Sequence, residues 1–154
     1  MIPLATRLHA LEAAFRHISA TRMDGVPVLN PRLEVQAVGF EISEDGSHAF
    51  GVLVTPWFMN LLRLPLQGDV APLAVRAVAA RDIGTHRLDF IGAFEPGVGA
   101  FEACSLFSPM FEFANQAAAV ATAHEALKEL RAAPRAPAQP ARRGFLLGRF
   151  GAAA

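Results

Sequence analysis

Val35-Gln36-Ala37-Val38-Gly39-Phe40-Glu41-Ile42, then Ser43-Glu44-Asp45-Gly46-Ser47, then His48-Ala49-Phe50-Gly51-Val52-Leu53-Val54 is the stretch that sets the fold. In the first segment Val38, Phe40 and Ile42 recur with period two, as on one face of a strand. Asp45-Gly46 supplies the dipeptide that a tight hairpin turn needs, and the third segment is apolar enough to return as a strand. A β-hairpin is therefore expected over residues 35–54.

Working outward, residues 5–22 carry Leu8, Leu11, Phe15 and Ile18 at helical steps, with Thr6 as the expected cap. Asp24-Gly25-Val26-Pro27 ends that helix. A second hairpin is expected from His86–Phe94 and Ala100–Phe107, joined by the turn Glu95-Pro96-Gly97-Val98-Gly99. Residues 115–131 form a long Ala-rich helix. Between the hairpins, a short strand is expected at Leu64–Leu66. Residues 73–83 are ambiguous, their alanines favouring helix. This order predicts an α+β fold: an antiparallel sheet of about four to five strands in two hairpins, packed with N- and C-terminal helices. Residues 1–131 read as one domain. Residues 132–154 read as a Pro-rich linker and a basic, apolar tail.

The chain has 154 residues, enough for one sizeable core. Hydrophobic residues make up 53% and charged residues 18%, so some apolar surface should remain exposed. Formal net charge is zero, which argues against a strong phosphate-binding footprint. That zero is uneven. Residues 132–154 hold four arginines and no acid; the remaining ten basic and fourteen acidic residues leave residues 1–131 at −4. One cysteine, Cys104, rules out an intrachain disulfide and points to a reducing, cytoplasmic setting. The N-terminus has no signal-peptide pattern, and no apolar run reaches membrane-spanning length.

Thr55-Pro56-Trp57-Phe58-Met59-Asn60-Leu61-Leu62 follows the first hairpin and holds the only tryptophan. Pro56 suits the first turn of a short helix, with Thr55 capping it. Its apolar residues exceed what one turn can bury on a sheet, so they either close a core or form a groove wall. Cys104-Ser105-Leu106-Phe107-Ser108-Pro109-Met110-Phe111 poses the same alternative. Pro56, Trp57, Phe58, Met59, Cys104, Phe107, Pro109 and Met110 are therefore the candidate partner-binding residues of the body, with Pro56 and Pro109 setting the turns. No histidine pair has metal-ligand spacing, and the glycines form no phosphate loop, so no metal and no cofactor is expected. Cys104 reads as a small strand hydrophobe, with a thiol nucleophile as the rival.

These two motifs, together with Arg142-Arg143-Gly144-Phe145-Leu146-Leu147-Gly148-Arg149, resemble the HybE-type nickel–iron hydrogenase assembly chaperones. The resemblance spans most of the chain. It implies a non-catalytic cytoplasmic protein that attends the hydrogenase small-subunit precursor and its twin-arginine signal peptide, delaying export until cofactors are inserted; other maturation proteins are further possible partners. Some relatives add a rubredoxin module with paired CxxC ligands, which this chain lacks. A receptor for a cationic, then apolar peptide should set carboxylates beside an apolar groove, and Glu41, Asp89, Glu95, Glu102 and Glu112 lie on or near the candidate strands. Arg142 and Arg143 would contact the partner or dock on the acidic body. Since Arg142–Leu147 itself reads like a twin-arginine core, the tail is also a candidate pseudo-ligand, against a purely solubilising or structural role. A cysteine-dependent hydrolase or transferase, and a scaffold indifferent to signal peptides, are the alternatives.

Overall fold

The computed structural model describes residues 2–68 and 71–132. Helix α1 (Leu4–Ala20) is followed by strands β1 (Gln36–Ile42), β2 (His48–Val54), β3 (Met59–Pro65), β4 (Val78–Ile83), β5 (His86–Glu95) and β6 (Gly99–Phe107), then helix α2 (Gln116–Arg131). The strands form one antiparallel sheet in the order β1-β2-β3-β6-β5-β4. The α+β class holds, with six strands instead of four to five.

The two helices take opposite faces. On one side Leu11, Phe15 and Ile18 of α1 pack with Leu53, Leu62, Leu64 and Phe101. On the other, Ala119, Ala123, Leu127 and Leu130 of α2 pack with Val52, Met59, Leu61, Phe90 and Leu106. Strand alternation delivers successive side chains to the two layers, so one sheet serves both cores. Asn115 caps α2 by accepting from the Ala118 amide at 2.8 Å. Thr6 does not cap α1; the helix already starts at Leu4, with Pro3 at the cap position, where a missing N–H costs nothing.

Three further expectations change. Residues 55–62 form no helix. Thr55, Pro56, Trp57 and Phe58 make the β2–β3 turn, in which the Thr55 hydroxyl accepts from the amides of Trp57 (3.2 Å) and Phe58 (2.9 Å). The short strand expected at Leu64–Leu66 is the end of the longer β3. The helix favoured within residues 73–83 is absent: β4 pairs with β5 from Val78–Ile91 to Ile83–His86. Alanine is the best helix former, but the cross-strand pairing gained outweighs a preference of a few tenths of a kcal/mol per residue.

Asn30 ties the loops at one end of the sheet together. Its buried side chain donates to the carbonyls of Met110 (3.0 Å) and Phe113 (2.9 Å), and its amide donates to Pro56 O at 2.8 Å. Both apolar motifs are thereby held at the same sheet end, where Met59 pairs with Phe107. Of residues 132–154, only Ala132 is among those described.

Candidate functional site

The two motifs meet but face opposite ways. Met59, Phe107 and Met110 are fully or almost fully buried in the α2-side core, with Phe107 edge-on to Phe113 at 5.2 Å. They form no open wall, because that face is closed by α2 and by Leu33. Trp57 and Phe58 turn to the α1 side and stay half-buried. Phe15 stacks near both, at ring-centroid distances of 6.4 and 5.8 Å. Pro56 is buried and Pro109 exposed. Arg142 and Arg143 lie outside the described residues.

An open channel lies beside the aromatic cluster, along the α1 side of β5. Phe90 points to the α2 core. Ala93 packs in the α1 layer, so Asp89, Ile91 and Glu95 share its face. Helix α1 leaves the outer strands uncovered. Ile91 is 48% exposed and its cross-strand neighbour Val78 60% exposed, with half-buried Ala103 on the inner side. At one end, the C-terminal turn of α1 and the end of β5 enclose a cleft of about 380 Å³, lined by Ala14, His17, Ile18, Arg22, Glu95 and Pro96 among others.

Each end of the channel carries a carboxylate. Asp89 is exposed. Glu95 is held by Arg22 at 2.7 and 2.8 Å, but the Arg22 side chain is 63% exposed, so a competing guanidinium can displace it at little cost. Asp89 and Glu95 stand six residues apart on one strand face, about 20 Å. On β3, next to β6, the side-chain oxygen of Asn60 is buried without a hydrogen-bond partner among the described residues. Asn60 shares the α1 side with Leu62 and Leu64.

The remaining acids serve other ends. Glu102 lies on the α2 side between Arg63 (2.7 Å) and Arg81 (2.9 Å). Burial pushes its carboxyl up, but hydrogen bonds from Arg81 and Arg63 outweigh that and hold it below the usual range. Glu41 pairs with Arg131 at 2.8 Å, and Glu112 is exposed on the loop before α2. Cys104 is half-buried against the α2 core; burial, then the Asp89 charge, pushes its thiol up to about 11. No group of three or more metal-ligating side chains occurs among the described residues.

Ile91, Val78, Ala93, Ile18 and Arg22 were not singled out from the sequence as site residues. The period-two alternation of residues 87–92 was the available signal. It separates Asp89 and Ile91 from Phe90, but not the face that a helix covers from the face it leaves bare.

The fold and channel define the class: a two-helix, six-stranded α+β domain with an apolar trough bounded by carboxylates. Comparison with known proteins makes it specific. The family model described as [NiFe]-hydrogenase assembly, chaperone, HybE matches residues 6–148. Protein HoxT of Cupriavidus necator is 50% identical over 159 aligned residues, covering 93% of this chain and 89% of that protein. The hydrogenase expression/formation protein HoxT of Azotobacter vinelandii is 38% identical, covering 89% and 88%. The solution structure of HybE from Escherichia coli superposes with a TM-score of 0.66 at 21% identity, covering 87% of this chain and 83% of that one, which supports the fold. The chain belongs to the HybE family of [NiFe]-hydrogenase assembly chaperones.

Proposed function

We propose that this chaperone is non-catalytic and cytoplasmic, and that it holds the precursor of a nickel–iron hydrogenase small subunit by its twin-arginine signal peptide until cofactors are in place. The observation that carries the reading is the channel along β5, with Asp89 and Glu95 at its ends and Ile91 and Ala93 between them. A twin-arginine peptide begins with two planar cations and continues apolar. Guanidinium forks pair both oxygens of a carboxylate, and a dry trough takes the apolar continuation. Trp57 and Phe58, half-buried and backed by Phe15, offer rigid contact area at the flank.

Calorimetric titration with a synthetic twin-arginine signal peptide tests this. Asp89→Asn and Trp57→Ala should each raise Kd about tenfold, as loss of one charged or aromatic anchor does. A Lys-Lys version of the peptide should bind the wild type less tightly. Melting curves on the same samples should keep a cooperative transition. If Trp57→Ala loses its fold instead, Trp57 is a core residue and Asp89→Asn alone decides. Unchanged affinity in Asp89→Asn would remove the channel from the binding site.

A further inference from the structure

We infer that the channel along β5 is occupied by the chain's own C-terminus when no client is present. The inference rests on the reading of that channel as the peptide site and adds the ligand it holds at rest. Arg143, Phe145, Leu147 and Arg149 recur at every second position of the tail. Asp89, Ile91, Ala93 and Glu95 recur at every second position of β5, on the channel face. Set side by side in parallel, the two series match residue for residue: cation on carboxylate, phenyl on Ile91, leucine on Ala93, cation on carboxylate. Both spans cover six residues, about 20 Å at strand rise.

Chain length and exit point allow this docking. Helix α2 ends beside the β4–β5 turn, where the Leu130 carbonyl lies so close to Gly84 that a Cβ there would stand 2.2 Å from it. The eleven residues from Ala133 to Arg143 can reach at most about 35 Å. That is ample to pass round a sheet whose layers are about 10 Å apart and meet Asp89 first. Tail and body have opposite charge, four arginines against a net −4. Arg149 would replace Arg22 on Glu95, an exchange between like groups at an exposed position. The family match continues through residue 148, so it includes this segment.

A segment tethered this way acts at an effective concentration on the order of millimolar. Even an intrinsic Kd of about 0.1 mM then keeps the channel about nine-tenths filled, and a client must bind about tenfold more tightly to displace the tail. Weak, non-client peptides are thereby excluded.

Chymotrypsin cleavage after Phe145 in the full-length chain reads the docking directly. Asp89→Arg should be cut about tenfold faster than wild type. Combining Asp89→Arg with Arg143→Asp should restore the wild-type rate. Both positions on β5 are exposed, so folding should be preserved; Ile91→Lys, expected to act like Asp89→Arg, provides a second variant. Equal cleavage rates in wild type, Asp89→Arg and Ile91→Lys would overturn the inference. So would protection that grows with protein concentration, which would give the channel to a second copy's tail. Adding a synthetic twin-arginine peptide should speed wild-type cleavage. If that peptide has no effect while Asp89→Arg still exposes the tail, self-docking stands and the signal-peptide reading falls.

Discussion

Cys104 shows how one residue's chemistry follows from its seat. It lies on β6 against the α2 core, where burial and the Asp89 charge push its thiol up to about 11. At neutral pH only about one molecule in ten thousand then carries the reactive thiolate. Native protein should therefore react with iodoacetamide far more slowly than urea-unfolded protein, by about a hundredfold or more given the ordinary thiol range. Rapid alkylation of the folded chain would instead revive the thiol-enzyme alternative. At the same scale, Thr55 was legible as a cap from its place before Pro56, though what it caps is a hairpin turn and not a helix. Trp57 was legible as unusual, but its direction was not. Whether a turn's side chains face one layer or the other depends on the twist and register of the strands it joins.

The elements divide by how local their signals are. The β1–β2 and β5–β6 hairpins could be read directly, because period-two alternation and glycine-bearing turns lie within a few residues of each other. Helices α1 and α2 followed from three- and four-residue steps. Strand β4 did not, because Ala79 and Ala80 favour helix and only pairing with β5 makes them strand. The lead-in to β4 is fixed by Gly92, where a Cβ would stand 2.1 Å from the Ala74 carbonyl oxygen. That neighbour is backbone and cannot yield as a side chain would. Gly92→Ala should therefore destabilise the protein by about 1–3 kcal/mol, as overpacking does, measured as a shift of the urea midpoint. An unshifted midpoint would mean that the 73–77 segment is free to move away.

At the scale of the whole molecule, acid sensitivity should come from the α2-side network joining β2, β3, β4 and β6. Burial, then the Arg63 charge, lowers the proton affinity of His48, although Glu102 and Asp45 partly oppose this. The unfolded imidazole takes up a proton near 6.5 while the folded one resists, so stability falls as pH drops below that value. Glu102 acts in the same direction at lower pH. Its folded carboxyl is held below the unfolded 4.5, so its contribution is present above 4.5 and is lost as pH falls through the folded value. Tm should hold near neutrality and fall in two stages, and His48→Gln should remove the first. A Tm unchanged between neutrality and mild acid would show that His48 titrates alike in both states.

Periodicity, turn chemistry and charge distribution were sufficient for the α+β class, both hairpins, both helices and the opposition between acidic body and basic tail. These are local or summed properties, carried by each segment whatever it packs against. The strand order, the burial of Met59, Phe107 and Met110, and the bare side of β5 required the assembled sheet. Which face of a strand stays open is fixed by the area that a helix from elsewhere in the chain can cover, and α1, laid over the inner strands, is too narrow to shade Ile91 and Val78.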